Sequence, residues 1–273
     1  MNSILKENIN NLSLSFTISS SICAYVISKV LLVPLSWHHY VFLSLTVWLI
    51  YTFDHLMDAA KPGASEIIRY KFHKKYFSQI RIAIAVILCL LASLLILLPW
   101  QTILSGVFVL AICLGYFVLI RKNLLVKRKK EKFAAFCISM GVVGMVVFVS
   151  LPIFEIGSVF IFAAFYLLCL QNLYLFSYFE KGNDKRLGFE TEVSNWTKDE
   201  FDSSMKGLFV LCFIVSVFIL QFGERFFSLF LVFMLMQTVL FVLWNRSQDF
   251  QKNERYRFIG DAIFFLPLIA LLF

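Results

Sequence analysis

Long stretches of the chain carry almost no charged residues, and such stretches recur from one end of the sequence to the other. A helix needs about 20 mainly apolar residues to cross a hydrocarbon core of roughly 30 Å. The pattern predicts spans at 12–34, 39–58, 77–98, 101–120, 133–151, 157–179, 206–222, 226–244 and 258–273. Within them the apolar positions run on continuously, without the short alternating segments of a membrane β-barrel. The expectation is an all-α, polytopic membrane protein of about nine transmembrane helices. Pro99 and Pro152 fall between spans, where a residue that cannot continue a helix is tolerated.

Connection length and charge alternate. The links after the third, fifth and seventh spans are very short and nearly free of positive charge, Arg225 apart. The other four internal links are longer and basic: Lys61, Arg69, Lys71, Lys74 and Lys75; Arg121 to Lys132; Lys181, Lys185, Arg186 and Lys198; Arg246, Lys252, Arg255 and Arg257. Nine crossings put these four on one side, and the positive-inside bias makes that side, with the N-terminus, cytoplasmic and the C-terminus opposite. Composition agrees: of 273 residues 60% are hydrophobic and 15% charged, well away from the balance of a soluble domain. The formal charge of +8 is carried by these links, so a nucleic-acid partner is not expected. The six cysteines stand singly in apolar segments, without the spacing of a disulfide framework or a zinc site. The polar start MNSILKENINN does not have the layout of a cleaved signal peptide. No linker divides the chain, so 1–273 reads as one transmembrane domain, with a hint of two four-span repeats over 12–120 and 133–244 followed by 258–273.

Two acidic pairs stand out. Asp54 and Asp58 close the second span, and Glu180 and Asp184 follow the sixth. Each pair is spaced i, i+4, which puts its carboxylates on one helix face, although Gly182 offers a place for the second helix to stop. Both pairs sit at helix C-termini on the same side of the membrane, where the helix dipole and the like charge disfavour them by about 0.3–1 kcal/mol each. A cation should offset that. Lysines of the adjacent links are the plain candidate. Mg²⁺, which favours a few carboxylates together with substrate phosphates, is the sharper one.

On these residues the chain resembles the UbiA superfamily of membrane prenyltransferases. The family's first motif, N-x-x-x-D-x-x-x-D, is similar to Ile50, Asp54 and Asp58, with Ile in place of Asn; its second, D-x-x-x-D-x-x-x-G, is similar to Glu180, Asp184 and Gly188, with Glu in place of the first Asp. The run Lys129–Lys132 resembles the family's basic entry to its fifth helix. The resemblance implies a bundle around a central cavity and Mg²⁺-dependent transfer of a prenyl group from an allylic diphosphate to an aromatic or lipid acceptor. It makes Asp54, Asp58, Glu180 and Asp184 the catalytic and metal-binding residues, and Arg69, Lys71, Lys130, Lys132 and Lys185 contacts for the diphosphate. Tyr51, Phe53, Tyr174 and Tyr178, within a turn or two of the acids, and Asn172 higher on the sixth span, are the candidates for the prenyl and acceptor pocket. Partners are then the prenyl diphosphate, a lipophilic acceptor and the bilayer.

Other polar residues have plainer readings. His55 is expected to pack or hydrogen-bond, His38 and His39 to lie at the interface, and His73 to belong to a solvated basic link. Asp261 is expected to pair with Arg257 one turn before it, and Gly141 and Gly144 to allow close helix packing. Two other functions compete: a non-catalytic transporter or assembly protein on the same scaffold, and a membrane terpene cyclase of the same superfamily. Transporters place their ionisable groups near the bilayer midplane, whereas these gather at one face.

Overall fold

The structure, a computed structural model, describes residues 12–60, 68–121, 129–150, 155–188, 191–251 and 254–272, and among these there are helices and turns but no strand. The helices in chain order are α1 (Leu14–Val30), α2 (Trp37–Ala59), α3 (Ile68–Lys75), α4 (Phe77–Leu95), α5 (Trp100–Arg121), α6 (Lys130–Ser139), α7 (Met145–Ser150), α8 (Gly157–Leu187), α9 (Lys198–Ile219), α10 (Phe227–Asn245), α11 (Ser247–Gln251) and α12 (Arg255–Ala262). A π-helical turn, Met140–Gly144, joins α6 to α7, and a 3₁₀ segment, Ile263–Leu272, continues α12. Among the described residues six helical segments are long and apolar enough to cross a membrane, and Leu14–Val30 and Trp100–Gly115 are shorter apolar helices. Many crossing-length helices and no strand make this a multi-pass α-helical membrane protein.

Three departures from the expected spans have local causes. First, α8 has 31 residues, about 46 Å at helical rise, and so outruns the hydrocarbon core. Gly182 lies inside it, and the helix ends instead at Gly188, whose φ of 68° is a conformation that only glycine adopts cheaply. Glu180 and Asp184 therefore remain on one continuous helix. Second, α9 starts at Lys198 rather than 206, because Thr197 and Glu200 form a reciprocal cap: Glu200 N–H donates to Thr197 Oγ1 (3.2 Å) and Thr197 N–H to Glu200 Oε2 (2.7 Å). Third, the link after α2 holds α3, which packs against α2. This buries His73 completely, at 0% exposed, against the expected solvated position. The ring packs 5.2 Å from His55, edge to face.

Helix α8 is the hub. It packs against α6, α9, α10 and α12, and 61% of its apolar window is buried, compared with 17% for α4. Apolar side chains such as Ile82, Val86, Leu110 and Phe213 face outward, as a lipid solvent allows. The approach of α12 to α8 depends on Gly260, where an added Cβ would stand 2.4 Å from Phe176 Cε1 and 2.6 Å from Asn172 Oδ1. We expect Gly260→Ala to destabilise the protein by about 1–3 kcal/mol through overpacking. A thermal unfolding midpoint equal to wild type in the same detergent would contradict this contact. By contrast, the nearest atoms to a Cβ on Gly144 belong to Met140 in its own π-helical turn, so this glycine serves the turn and not a neighbouring helix.

Candidate functional site

Both acidic pairs lie on the helices expected for them. At the end of α2, Asp58 is buried and accepts a hydrogen bond from the Tyr70 hydroxyl of α3 at 3.4 Å. Asp54, one turn earlier, is more open, and its Oδ1 lies 3.9 Å from Lys130 Nζ at the start of α6. At the end of α8, Glu180 Oε1 forms an ion pair with Arg257 Nη2 at 2.9 Å, while Arg257 Nε reaches Glu254 Oε2 at 3.4 Å. Both partners of the first pair are largely enclosed, with side chains 15% and 18% exposed. Partly buried Asp184 lies in the field of Glu180, Lys130, Glu131 and Arg257. Lys130 thus stands beside Asp54 of one pair and within electrostatic reach of Asp184 of the other. The two acid-bearing helix ends share one neighbourhood. Among the described residues no three Asp, Glu, His or Cys side chains are close enough to hold a metal ion together.

Behind this mouth is a second polar group that the sequence did not reveal. Glu131, buried at the start of α6, accepts from Ser177 Oγ at 2.8 Å and from Glu192 N–H at 3.3 Å. Glu192 in turn accepts from Lys132 Nζ at 2.7 Å and Tyr174 OH at 2.9 Å. Lys132 and Tyr174, expected at the diphosphate and in the pocket, are therefore tied to Glu192. Tyr178 stacks on Phe201 with ring centroids 4.1 Å apart, and Phe53 is 50% exposed on the outer surface. None of these three aromatic residues forms part of the cavity wall described next. Lys71 and Lys185 are exposed, and the side chain of Arg69 lies outside the described residues.

Beneath the acids is a cavity of about 90 Å³. Tyr51 and Asn172, both singled out in the sequence, line it, together with Ser13, His55, Phe176 and Asp261. Phe16, Phe264 and Arg257 complete its aromatic and charged edges. His55 is held by Ser13, with Nε2 3.1 Å from the hydroxyl oxygen, as its packing and hydrogen-bonding role requires. Arg257 makes ion pairs with Glu180 and Glu254. One signal in the sequence points to this wall. Asn172, Phe176, Glu180 and Asp184 form a single i, i+4 row on α8, while Tyr51, His55 and Asp58 follow i, i+4, i+7 on α2. Each row runs from the cavity to the acids at its mouth.

No family model matches the sequence, and no curated protein does. The folded chain is similar to the apo structure of a UbiA homolog from Aeropyrum pernix K1, with a TM-score of 0.64, 13% sequence identity and 97% of each chain covered. The fold is UbiA-like. Coverage this complete extends the likeness to the whole UbiA-like bundle, including the helices that carry both acidic pairs, while the low identity limits it to the fold. Within this UbiA-like frame, Ile50, the residue that replaces the motif's Asn, is 45% exposed on the outer surface of α2.

Proposed function

We propose that this chain is an intramembrane prenyltransferase, moving a prenyl group from an allylic diphosphate to a lipophilic acceptor. The observation that supports it is the convergence of two acid-bearing helix ends on Lys130, at the mouth of an aromatic-lined cavity in a UbiA-like bundle. The donor set suits Mg²⁺. The ion takes hard carboxylate oxygens and usually completes its shell with water and substrate phosphates rather than with a protein cage. No three described carboxylates stand close enough to cage the ion, so Asp54, Asp58 and Asp184 would share it with water and the diphosphate oxygens, whereas Glu180 is committed to Arg257. When bound, Mg²⁺ supplies Lewis acidity and charge neutralisation to the leaving diphosphate.

The chain's own residues do the rest. Lys130, beside Asp54 and near Asp184, adds a charge-assisted contact to phosphate oxygens, and exposed Lys71 and Lys185 draw the anion toward the mouth. Cleavage of the allylic C–O bond leaves its electron pair on the diphosphate. The acceptor's new bond to the allylic carbon is balanced by loss of the acceptor's proton. Rings around the cavity, Tyr51 and Phe176 among them, exclude water and offer π faces to the allylic cation. With the basic links on the same side as the acids, the mouth faces the cytoplasm.

The test is diphosphate release from farnesyl diphosphate by the purified protein in proteoliposomes. Release should require Mg²⁺, stop with EDTA and return when Mg²⁺ is restored. Release at the protein-free rate under all three conditions would sink the enzyme reading. It would favour a non-catalytic protein on the same scaffold, in which Arg257 has taken over the cation's place at Glu180.

A further inference from the structure

The six cysteines stand singly in the sequence, but the fold brings Cys113 and Cys137 into contact. The Cys113 thiol on α5 donates to the Cys137 sulfur on α6, with the two Sγ atoms 3.5 Å apart. A disulfide forms only between side chains that point at one another, and a hydrogen bond from sulfur to sulfur meets that condition. The other thiols have different surroundings. Cys23, Cys169 and Cys212 are buried, with Cys23 and Cys212 donating to the carbonyls of Phe264 and Ala164. Cys89 is exposed on α4 and has no thiol beside it among the described residues. Cys113 and Cys137 are half-buried, and the neighbours of Cys113 on α5, Leu110 and Leu114, are 57% and 56% exposed on the outer surface. The pair therefore borders the lipid-facing side of the bundle, where an oxidant dissolved in hydrocarbon can reach it.

We infer that Cys113 and Cys137 are a redox-active dithiol, which a hydroperoxide in the apolar layer oxidises to a disulfide joining α5 to α6. In the first step one sulfur attacks a peroxide oxygen. The O–O bond breaks, the thiol's proton leaves with the departing alcohol, and a sulfenic acid remains. The second sulfur then attacks the first. The S–S bond forms as the S–O bond breaks, and the hydroxyl leaves as water with the second thiol's proton. Two thiols lose two electrons, and one hydroperoxide is reduced to an alcohol and water. Each sulfur is the other's hydrogen-bond partner, so the sulfur that attacks has its resolving thiol already in place. The bond would join positions 24 residues apart and fix α6 to α5. Cys137 lies two turns, about 10 Å at helical rise, beyond Lys130, which stands 3.9 Å from Asp54. The redox state of the pair thus bears on the helix that carries a cation to the acidic mouth.

The test exposes the purified, reduced full chain in lipid nanodiscs to a small excess of tert-butyl hydroperoxide. Free thiols are then alkylated in denaturant and the chain is mapped by mass spectrometry without reduction. Alkylated cysteines should fall from six to four, with the Cys113 and Cys137 peptides joined and two hydrogens lost, and dithiothreitol should restore all six. Cys89 should oxidise at least tenfold more slowly than the pair. Cys113→Ser and Cys137→Ser should each keep their five remaining thiols through the same exposure. The wild-type map decides the matter even if a variant fails to fold. Six free thiols after exposure, a bond between other cysteines or between two chains, a sulfinic acid in place of the bond, or oxidation of Cys89 at the same rate each overturns the inference. The map needs neither Mg²⁺ nor a prenyl donor, so its outcome is independent of the transfer assay.

Discussion

Replacing Asp184 by asparagine, or Asp58 by asparagine, should lower Mg²⁺-dependent diphosphate release by about a hundredfold or more, the usual scale for removing one group that stabilises developing charge. Glu180→Gln should cost much less, about tenfold. The difference follows from the partners. Asp184 is partly buried and within electrostatic reach of Glu180, Lys130, Glu131 and Arg257, with no ion pair of its own among the described residues to occupy it. Glu180 is bound to Arg257 at 2.9 Å and has less of its charge available to another cation. Asparagine keeps the shape of Asp58 and still accepts from the Tyr70 hydroxyl, so loss of activity would not reflect a broken contact with α3. Steady-state release measured side by side on the three variants decides the matter. A Glu180→Gln loss as large as that of Asp184→Asn would restore Glu180 to the metal-binding set, and wild-type rates in all three would remove these acids from catalysis.

Arg257→Ala carries the largest expected effect on stability. Arg257 and Glu180 are both largely enclosed, and removing one partner of a buried pair costs about 3–5 kcal/mol because the other charge is left without compensation. Glu254, at 3.4 Å, and nearby Asp184 would then face Glu180 without the guanidinium. The lost contact also ties α12 to α8, so the C-terminal segment should loosen first. Combining Arg257→Met with Glu180→Gln should recover more than half of the loss, since no isolated charge remains. Thermal unfolding of both variants in one detergent tests this. A single-variant loss below about 1 kcal/mol would class the pair with solvated surface bridges.

Much of this arrangement is legible in the residue pattern. Asp54, Asp58, Glu180 and Asp184 are recognisable because four carboxylates at the ends of apolar spans oppose both the helix dipole and each other. Tyr51 and Asn172 follow from their rows toward those acids. Tyr174 and Tyr178 show the limit of that argument. They are near the acids in sequence but turn toward Glu192 and Phe201, because neighbours on a helix one or two residues apart point in different directions. His73 shows another. Its link reads as basic and solvated, yet α3 folds back on α2 and takes the ring out of solvent.

Apolar run length and charge placement alone determined an all-helical, membrane-spanning chain with acids gathered at two helix ends. These features are local: hydrocarbon thickness fixes span length, and the cost of leaving a charge in lipid fixes where spans stop. Tertiary structure decided which cation each acid meets and which side chains enclose space. Arg257 reaches Glu180 across 77 positions of sequence, and Gly260 lets α12 approach close enough to leave Asn172 on a cavity wall. Charge pairing and cavity shape depend on distances of a few ångströms between helices far apart in the chain, and residue periodicity carries no record of those distances.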